Sequence, residues 1–189
     1  MGGEQSYLGK LWSAIRWFTG WEDDQERDVI GLTSRQRKSI RQMWTEINKD
    51  KINVGIGIFV KLFTEYPEAR QLFPALRKLT FDENFGKSPK LKAHSGRFMG
   101  LLSTCVENIE DPEVFEQLLV GLAASHFKLK VETSHFKALG PIMIETFSTH
   151  LGREFTSERG ASWDIFQGYM FKIITTELQS IGEEQHHSE

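Results

Sequence analysis

Apolar residues recur every three or four positions along most of the chain, which is the spacing of an amphipathic helix. From Leu32 onward this spacing dominates, and no alternating pattern typical of strands persists. It predicts helices over residues 33–49, 51–66, 68–73, 89–109, 113–127, 134–151 and 157–181. Pro89 and Pro112 stand where helices should begin, whereas Pro141 predicts a kink or a local break. The fold class is therefore expected to be all-α.

The first 28 residues carry a different pattern. One face of a short predicted helix collects the apolar residues Leu8, Leu11, Trp12, Ile15 and Phe18. Residues 22–28 then carry five acids and one Arg, which is typical of a solvated linker. We therefore predict an N-terminal amphipathic helical extension with its acidic linker over 1–28. One domain follows over 29–182, with a frayed tail over 183–189.

The start of the chain, MGGEQS, matches the acceptor pattern for N-myristoylation, with Gly2 as the acylated residue. One acyl chain gives only marginal membrane binding, so a second contact is needed, and the Trp and Phe side chains behind it would supply one. The pattern predicts attachment to the cytoplasmic face of a membrane. Two alternatives remain: the MGG start is a coincidence, or the helix packs on its own domain or on a partner.

Composition narrows the class of protein. The chain has 189 residues, a net charge of −3 and a single Cys. This charge argues against nucleic-acid binding, and one Cys excludes an intramolecular disulfide or a Cys-based zinc site. No stretch approaches the roughly 18 consecutive apolar residues of a transmembrane helix. The first 25 residues also lack the apolar run of a secretory signal. A cytoplasmic location is expected.

Two histidines, His94 and His126, lie on the apolar faces of consecutive predicted helices. A single His on an apolar face is usually a core residue. Two of them could instead face each other across a slot lined by Phe and Leu. Such a slot suits a large flat ligand with a metal centre, because haem iron takes neutral imidazole as an axial ligand.

Four segments of the chain resemble the globin family, and within it they are most similar to the cytoglobin and globin X group. LTSRQRKSIRQMW is similar to a first globin helix with its Trp, and FVKLFTEYPEARQLF to the passage from the second helix to the third. SPKLKAHSGRFMGLL is similar to the distal helix, and LLVGLAASHFKLKV to the proximal helix with its following corner. The resemblance extends from Leu32 to Ile181.

This resemblance implies the globin fold, a three-over-three helical sandwich, and non-covalent binding of haem b. His126 would be the proximal ligand of the iron, and His94 the distal histidine, which we expect to bind the iron when no external ligand is present. The remaining haem contacts implied are Phe73, Phe59, Phe98, Arg97, Leu122, Val131, Phe136 and Leu139. Gly55 and Ser95 would lie where two helices cross closely.

Two departures from the family pattern affect the expected site. Phe98 replaces the smaller aliphatic residue usual there, and with Phe59 it should crowd the space where a ligand binds. The corner between His126 and Val131 is one residue shorter than in cytoglobin and contains no His, so one usual contact to a haem propionate is missing.

Reversible binding of O2, CO and NO is the function that the resemblance implies. The first alternative is a membrane-associated redox enzyme or sensor, acting as a nitric oxide dioxygenase, as a nitrite reductase or in protection against peroxides and oxidised lipid. It would need an external electron donor, because the sequence holds no reductase domain. The second alternative is plain cytosolic O2 storage or transport. A helical module without haem is disfavoured by the retention of both histidines and Phe73.

Overall fold

A computed structural model describes residues 26–186. The described chain folds into six α-helices and three short 3-10 helices, and it contains no strand. The α-helices are α1 (Ser34–Asn48), α2 (Lys51–Glu65), α3 (Pro89–Glu107), α4 (Pro112–Phe127), α5 (Thr133–Leu151) and α6 (Ser157–His186). The 3-10 helices are Pro67–Leu72, Phe85–Lys87 and Gly152–Glu154. The prediction of an all-α fold is confirmed.

Local sequence explains where these helices begin. At the start of α1, Thr33 Oγ1 accepts a hydrogen bond from the Gln36 N–H, and the Gln36 side chain accepts one from the Thr33 N–H. This reciprocal pair satisfies amide groups that have no partner within the helix. Pro89 and Pro112 are the first residues of α3 and α4, as predicted, because proline tolerates the first helical position.

The helices form two layers of three, with α1, α3 and α4 on one side and α2, α5 and α6 on the other. Contacts between the layers join α2 to α3, α4 to α6 and α1 to α6. Between the layers, the rings of Trp44 and Trp163 stack with centroids 5.5 Å apart, and Phe147 meets Trp163 edge-on at 5.1 Å. Ser103 Oγ accepts a hydrogen bond from Trp44 Nε1 at 3.2 Å, so the buried indole keeps a polar partner.

Helices α2 and α3 cross closely at a small residue, as predicted. A Cβ atom on Gly55 would lie 2.7 Å from Met99 Cγ and 3.1 Å from Ser95 Cβ. Only glycine fits here without displacing α3. The crossing brings the helix that carries His94 against the helix that carries Phe59.

Two helices differ from the prediction. The expected break at Pro141 is absent, since α5 continues through it; Gly140 next to it lies against α6, where a Cβ would be 3.2 Å from Gln167 Nε2. This packing accompanies a helix that is continuous in spite of one missing backbone donor. Helix α6 continues to His186, beyond the predicted end at 181 and into the segment predicted to be frayed, because Gly182 is followed by Glu and Gln, which favour helix. The N-terminal stripe and Gly2 lie outside the described residues.

Candidate functional site

A cavity of about 850 Å³ lies between α3 and α4, with α5 and α6 forming its floor. Its size falls within the range of small-molecule and cofactor sites. Ten residues were predicted to contact a cofactor, and all ten line this cavity: Phe59, Phe73, His94, Arg97, Phe98, Leu122, His126, Val131, Phe136 and Leu139. The structure therefore brings together, in one mostly apolar space, residues that lie between positions 59 and 139 of the chain.

The last turn of α4 presents His126 to the cavity. Its Nδ1 lies 2.9 Å from the carbonyl oxygen of Leu122. A carbonyl oxygen only accepts hydrogen bonds, so Nδ1 carries a proton, which leaves Nε2 as the nitrogen available to a metal. The same contact fixes the orientation of the ring, which is how a histidine is prepared to bind a metal.

The corner after His126 closes through an unusual backbone conformation. The His126 carbonyl accepts a hydrogen bond from the Val131 N–H at 3.2 Å, and the Phe127 carbonyl accepts one from the Lys130 N–H at 2.9 Å. These two bonds form a Schellman motif, in which one residue is left-handed, and here that residue is Lys130, with φ of 60°. The tight turn closes the corner and places Val131 in the cavity wall.

Aromatic rings surround His94 on the opposite wall. Phe59 and Phe73 meet its imidazole edge-on, with centroids 4.7 Å and 5.0 Å away, and Phe98 lies 5.2 Å from Phe59. Burial, together with the positive charge of Arg97, lowers the pKa of His94 to about 4. His94 is therefore neutral at pH 7 and offers a lone pair. Three phenylalanine rings thus pack in this wall, and the crowding of the ligand space by Phe59 and Phe98 stays a prediction.

Several lining residues were not identified from the sequence. His135, in the first turn of α5, lines the cavity, and its Nδ1 accepts a hydrogen bond from the Glu132 N–H at 2.9 Å. Leu118 and Leu129 also line it, although 44% and 42% of their surfaces are exposed. The helical spacing Leu118–Leu122–His126 was a signal for Leu118. For His135, the only sequence signal of a place in the cavity wall was its position next to Phe136.

The side chains around the cavity fit haem better than a bare metal ion. Within residues 26–186 no group of three or more His, Cys, Asp or Glu side chains is arranged to hold a metal. Two histidines on opposite walls suffice only when the metal arrives with ligands of its own, as iron does in a porphyrin. The apolar lining and the two histidines therefore match the chemistry of haem.

Comparison with known proteins decides the family. The family model described as Globin matches residues 56–174, more than half of the chain. The chain belongs to the globin family. Cytoglobin-2 of Danio rerio is 32% identical over 152 residues, which cover 80% of this chain and 85% of that protein. Cytoglobin-2 of Oryzias latipes is 28% identical over 162 residues (85% and 90%), and hemoglobin subunit zeta of Sus scrofa is 30% identical over 144 residues (76% and 96%).

These similarities confirm the predicted resemblance to cytoglobin-like globins and the globin fold. As a globin, the chain binds haem b, and diatomic gases such as O2 are the ligands of this family.

Proposed function

We propose that this globin binds O2 reversibly, together with CO and NO, and that its iron is six-coordinate at rest, with His126 and His94 as axial ligands. The observation that carries the proposal is the placement of two histidines, from consecutive α-helices, in the lining of one apolar cavity. Haem b supplies the iron centre to which diatomic ligands bind.

The two histidines perform different tasks in this proposal. His126 holds the cofactor through Nε2, and the Leu122 carbonyl keeps its ring in the orientation that binding needs. His94 would serve as the internal ligand, and its N–H would donate a hydrogen bond to a bound diatomic ligand that carries partial negative charge. The rings of Phe59 and Phe98 keep water out of this space.

The remaining predicted contacts hold the cofactor. Apolar lining residues would pack against the porphyrin: Phe73, Leu122, Val131, Phe136 and Leu139. Arg97, which is exposed at the mouth of the cavity, pairs with a carboxylate of the cofactor; a guanidinium is well suited to that contact because its N–H groups match both carboxylate oxygens.

The absorption spectrum of the purified ferrous protein, recorded before and after CO, tests the six-coordinate state directly. We expect a low-spin spectrum that CO converts to a carbonyl spectrum. A five-coordinate, high-spin ferrous spectrum for the wild type would contradict the proposal. His126→Ala is expected to lose haem affinity, whereas His150→Ala, which changes an exposed His at the end of α5, is expected to keep it.

We further propose that the chain attaches to the cytoplasmic face of a membrane through myristoylated Gly2 and the stripe that contains Trp12 and Phe18. The support is the MGGEQS start and the helical spacing of the stripe. Among residues 26–186 no helix combines the length and apolar character needed to cross a membrane.

Gly2→Ala is expected to move the protein from membrane to cytosol in a fractionation experiment. Trp12→Glu with Phe18→Glu should weaken attachment while acylation persists. A wild type that incorporates no myristate and stays soluble would contradict this.

A redox role at the same haem is the second candidate, and the crowded ligand side favours it over bulk O2 storage. Such a role consumes electrons, so it requires an external donor. Nitric oxide consumption measured with and without an added reductase separates the two: a redox enzyme sustains turnover with the reductase, whereas a carrier stops after one equivalent.

A further inference from the structure

Five phenylalanines form a continuous series of ring contacts from the protein surface to His94, which we call the phenylalanine relay. Its members are Phe81, Phe85, Phe63, Phe73 and Phe59. Phe81 is 40% exposed, whereas Phe85 and Phe63 are 3% and 1% exposed. The relay therefore begins on the surface, in the segment before α3, and ends in the core.

Successive rings of the relay meet edge-on. The centroids of Phe81 and Phe85 are 4.8 Å apart, those of Phe85 and Phe63 are 5.9 Å apart, and those of Phe63 and Phe73 are 5.0 Å apart. Phe73 and Phe59 then flank the imidazole of His94. Rings that interlock at core density cannot shift one at a time, so a displacement at one end forces the others to repack.

The surface end of the relay is fixed by Arg70. Its guanidinium carbon lies 5.5 Å from the centroid of the Phe81 ring, and its Nη1 donates a hydrogen bond to the Leu79 carbonyl at 3.1 Å. The other relay residue of this segment is bonded to α3 itself, because the Phe85 carbonyl accepts a hydrogen bond from the N–H of Ser88, the residue that precedes this helix. The segment is thus joined to the helix that bears His94 both through rings and through backbone.

We propose that Phe81 and Phe85 are positioning residues that hold the imidazole of His94 ready to bind the haem iron. The inference rests on the proposed six-coordinate state. An imidazole packed against two aromatic rings that also contact each other loses less freedom when it binds, so the relay favours the His94-bound state. Loosening the surface end removes that restraint and lets His94 dissociate faster.

The variant that tests this is Phe81→Ala, since a partly exposed side chain can be truncated without opening the core. At saturating CO, the rate of CO binding to the ferrous protein is limited by dissociation of His94. Loss of one aromatic contact is expected to raise this limiting rate by roughly two- to tenfold. Phe81→Tyr keeps the ring and should retain the wild-type rate. Phe155→Ala is the matched control, because Phe155 is a partly buried ring that lies outside the relay.

A His94→Leu background shows whether the effect passes through His94. There, adding Phe81→Ala is expected to leave CO association unchanged. Acceleration by the same factor in that background would overturn the proposal, because the ring would then act on ligand entry. An unchanged limiting rate in Phe81→Ala alone, or an equal change in Phe155→Ala, would also overturn it.

The spectrum of the wild type distinguishes a failure of the positioning proposal from a failure of the proposed function. A five-coordinate ferrous wild type removes the internal ligand and overturns both. If the wild type is six-coordinate and Phe81→Ala leaves the limiting rate of CO binding unchanged, only the positioning role is overturned.

Discussion

Replacing Lys130 by glycine is expected to stabilise the protein, because this lysine occupies the left-handed position of the corner after the proximal helix. The left-handed conformation costs an L-residue roughly 1–2 kcal/mol. Glycine adopts it freely, but its unfolded chain is more flexible, which offsets about 0.5–1 kcal/mol. The net gain in the free energy of unfolding is then about 0.5–1 kcal/mol.

Urea unfolding of the haem-loaded protein measures this gain. The midpoint should rise with no change in the m-value, because the surface exposed on unfolding stays the same. Two controls isolate the backbone effect. Lys130→Ala removes the charge and keeps the strain, so it should be nearly neutral. Lys128→Gly places glycine two residues earlier, where φ is −60° in ordinary helical backbone, and should destabilise by about 1 kcal/mol.

Two outcomes would refute the reasoning about this corner. If Lys130→Gly is no more stable than the wild type, the left-handed residue carries no strain. If Lys130→Ala gains as much as Lys130→Gly, the charge of the lysine is responsible rather than its backbone.

Three further predictions concern the cavity and the helix crossing. Phe98→Val should open the ligand side, speed CO association in flash photolysis and cost roughly 1–4 kcal/mol of stability in urea unfolding; unchanged or slower association would contradict the crowding argument. Gly55→Ala should destabilise the protein by roughly 1–3 kcal/mol, because the new Cβ would lie 2.7 Å from Met99 Cγ. Gly100→Ala, where a Cβ would have no atom within 4 Å, should be neutral or stabilising. Equal shifts of the melting temperature in the two variants would show that the helix crossing is not tight. Burial raises the pKa of Cys105 to about 12, so its thiol should label with a thiol reagent at pH 8 only as fast as the protein unfolds; rapid labelling of the native protein would contradict its burial.

The sequence by itself determined where the helices lie and which residues line the cavity. Helical spacing and prolines are local signals, and they placed α3 and α4 with His94 and His126 on their apolar faces. The resemblance to globins added Phe59, Phe73 and the other predicted contacts, and all of them line one cavity because a family's fold preserves which helix faces meet. Gly55 was also found this way, since a close crossing accepts only a small side chain.

Only the tertiary structure decided those features that depend on contacts between residues distant along the chain. The continuity of α5 through Pro141 is explained by packing against α6 at Gly140, which outweighs one lost hydrogen bond. The left-handed Lys130 follows from the need to close a short corner, and propensity would have assigned that place to glycine. The ring contacts between Phe81 and His94 join a surface segment to a core helix, and no spacing along the sequence encodes them, because side chains meet across helices only after the layers have packed.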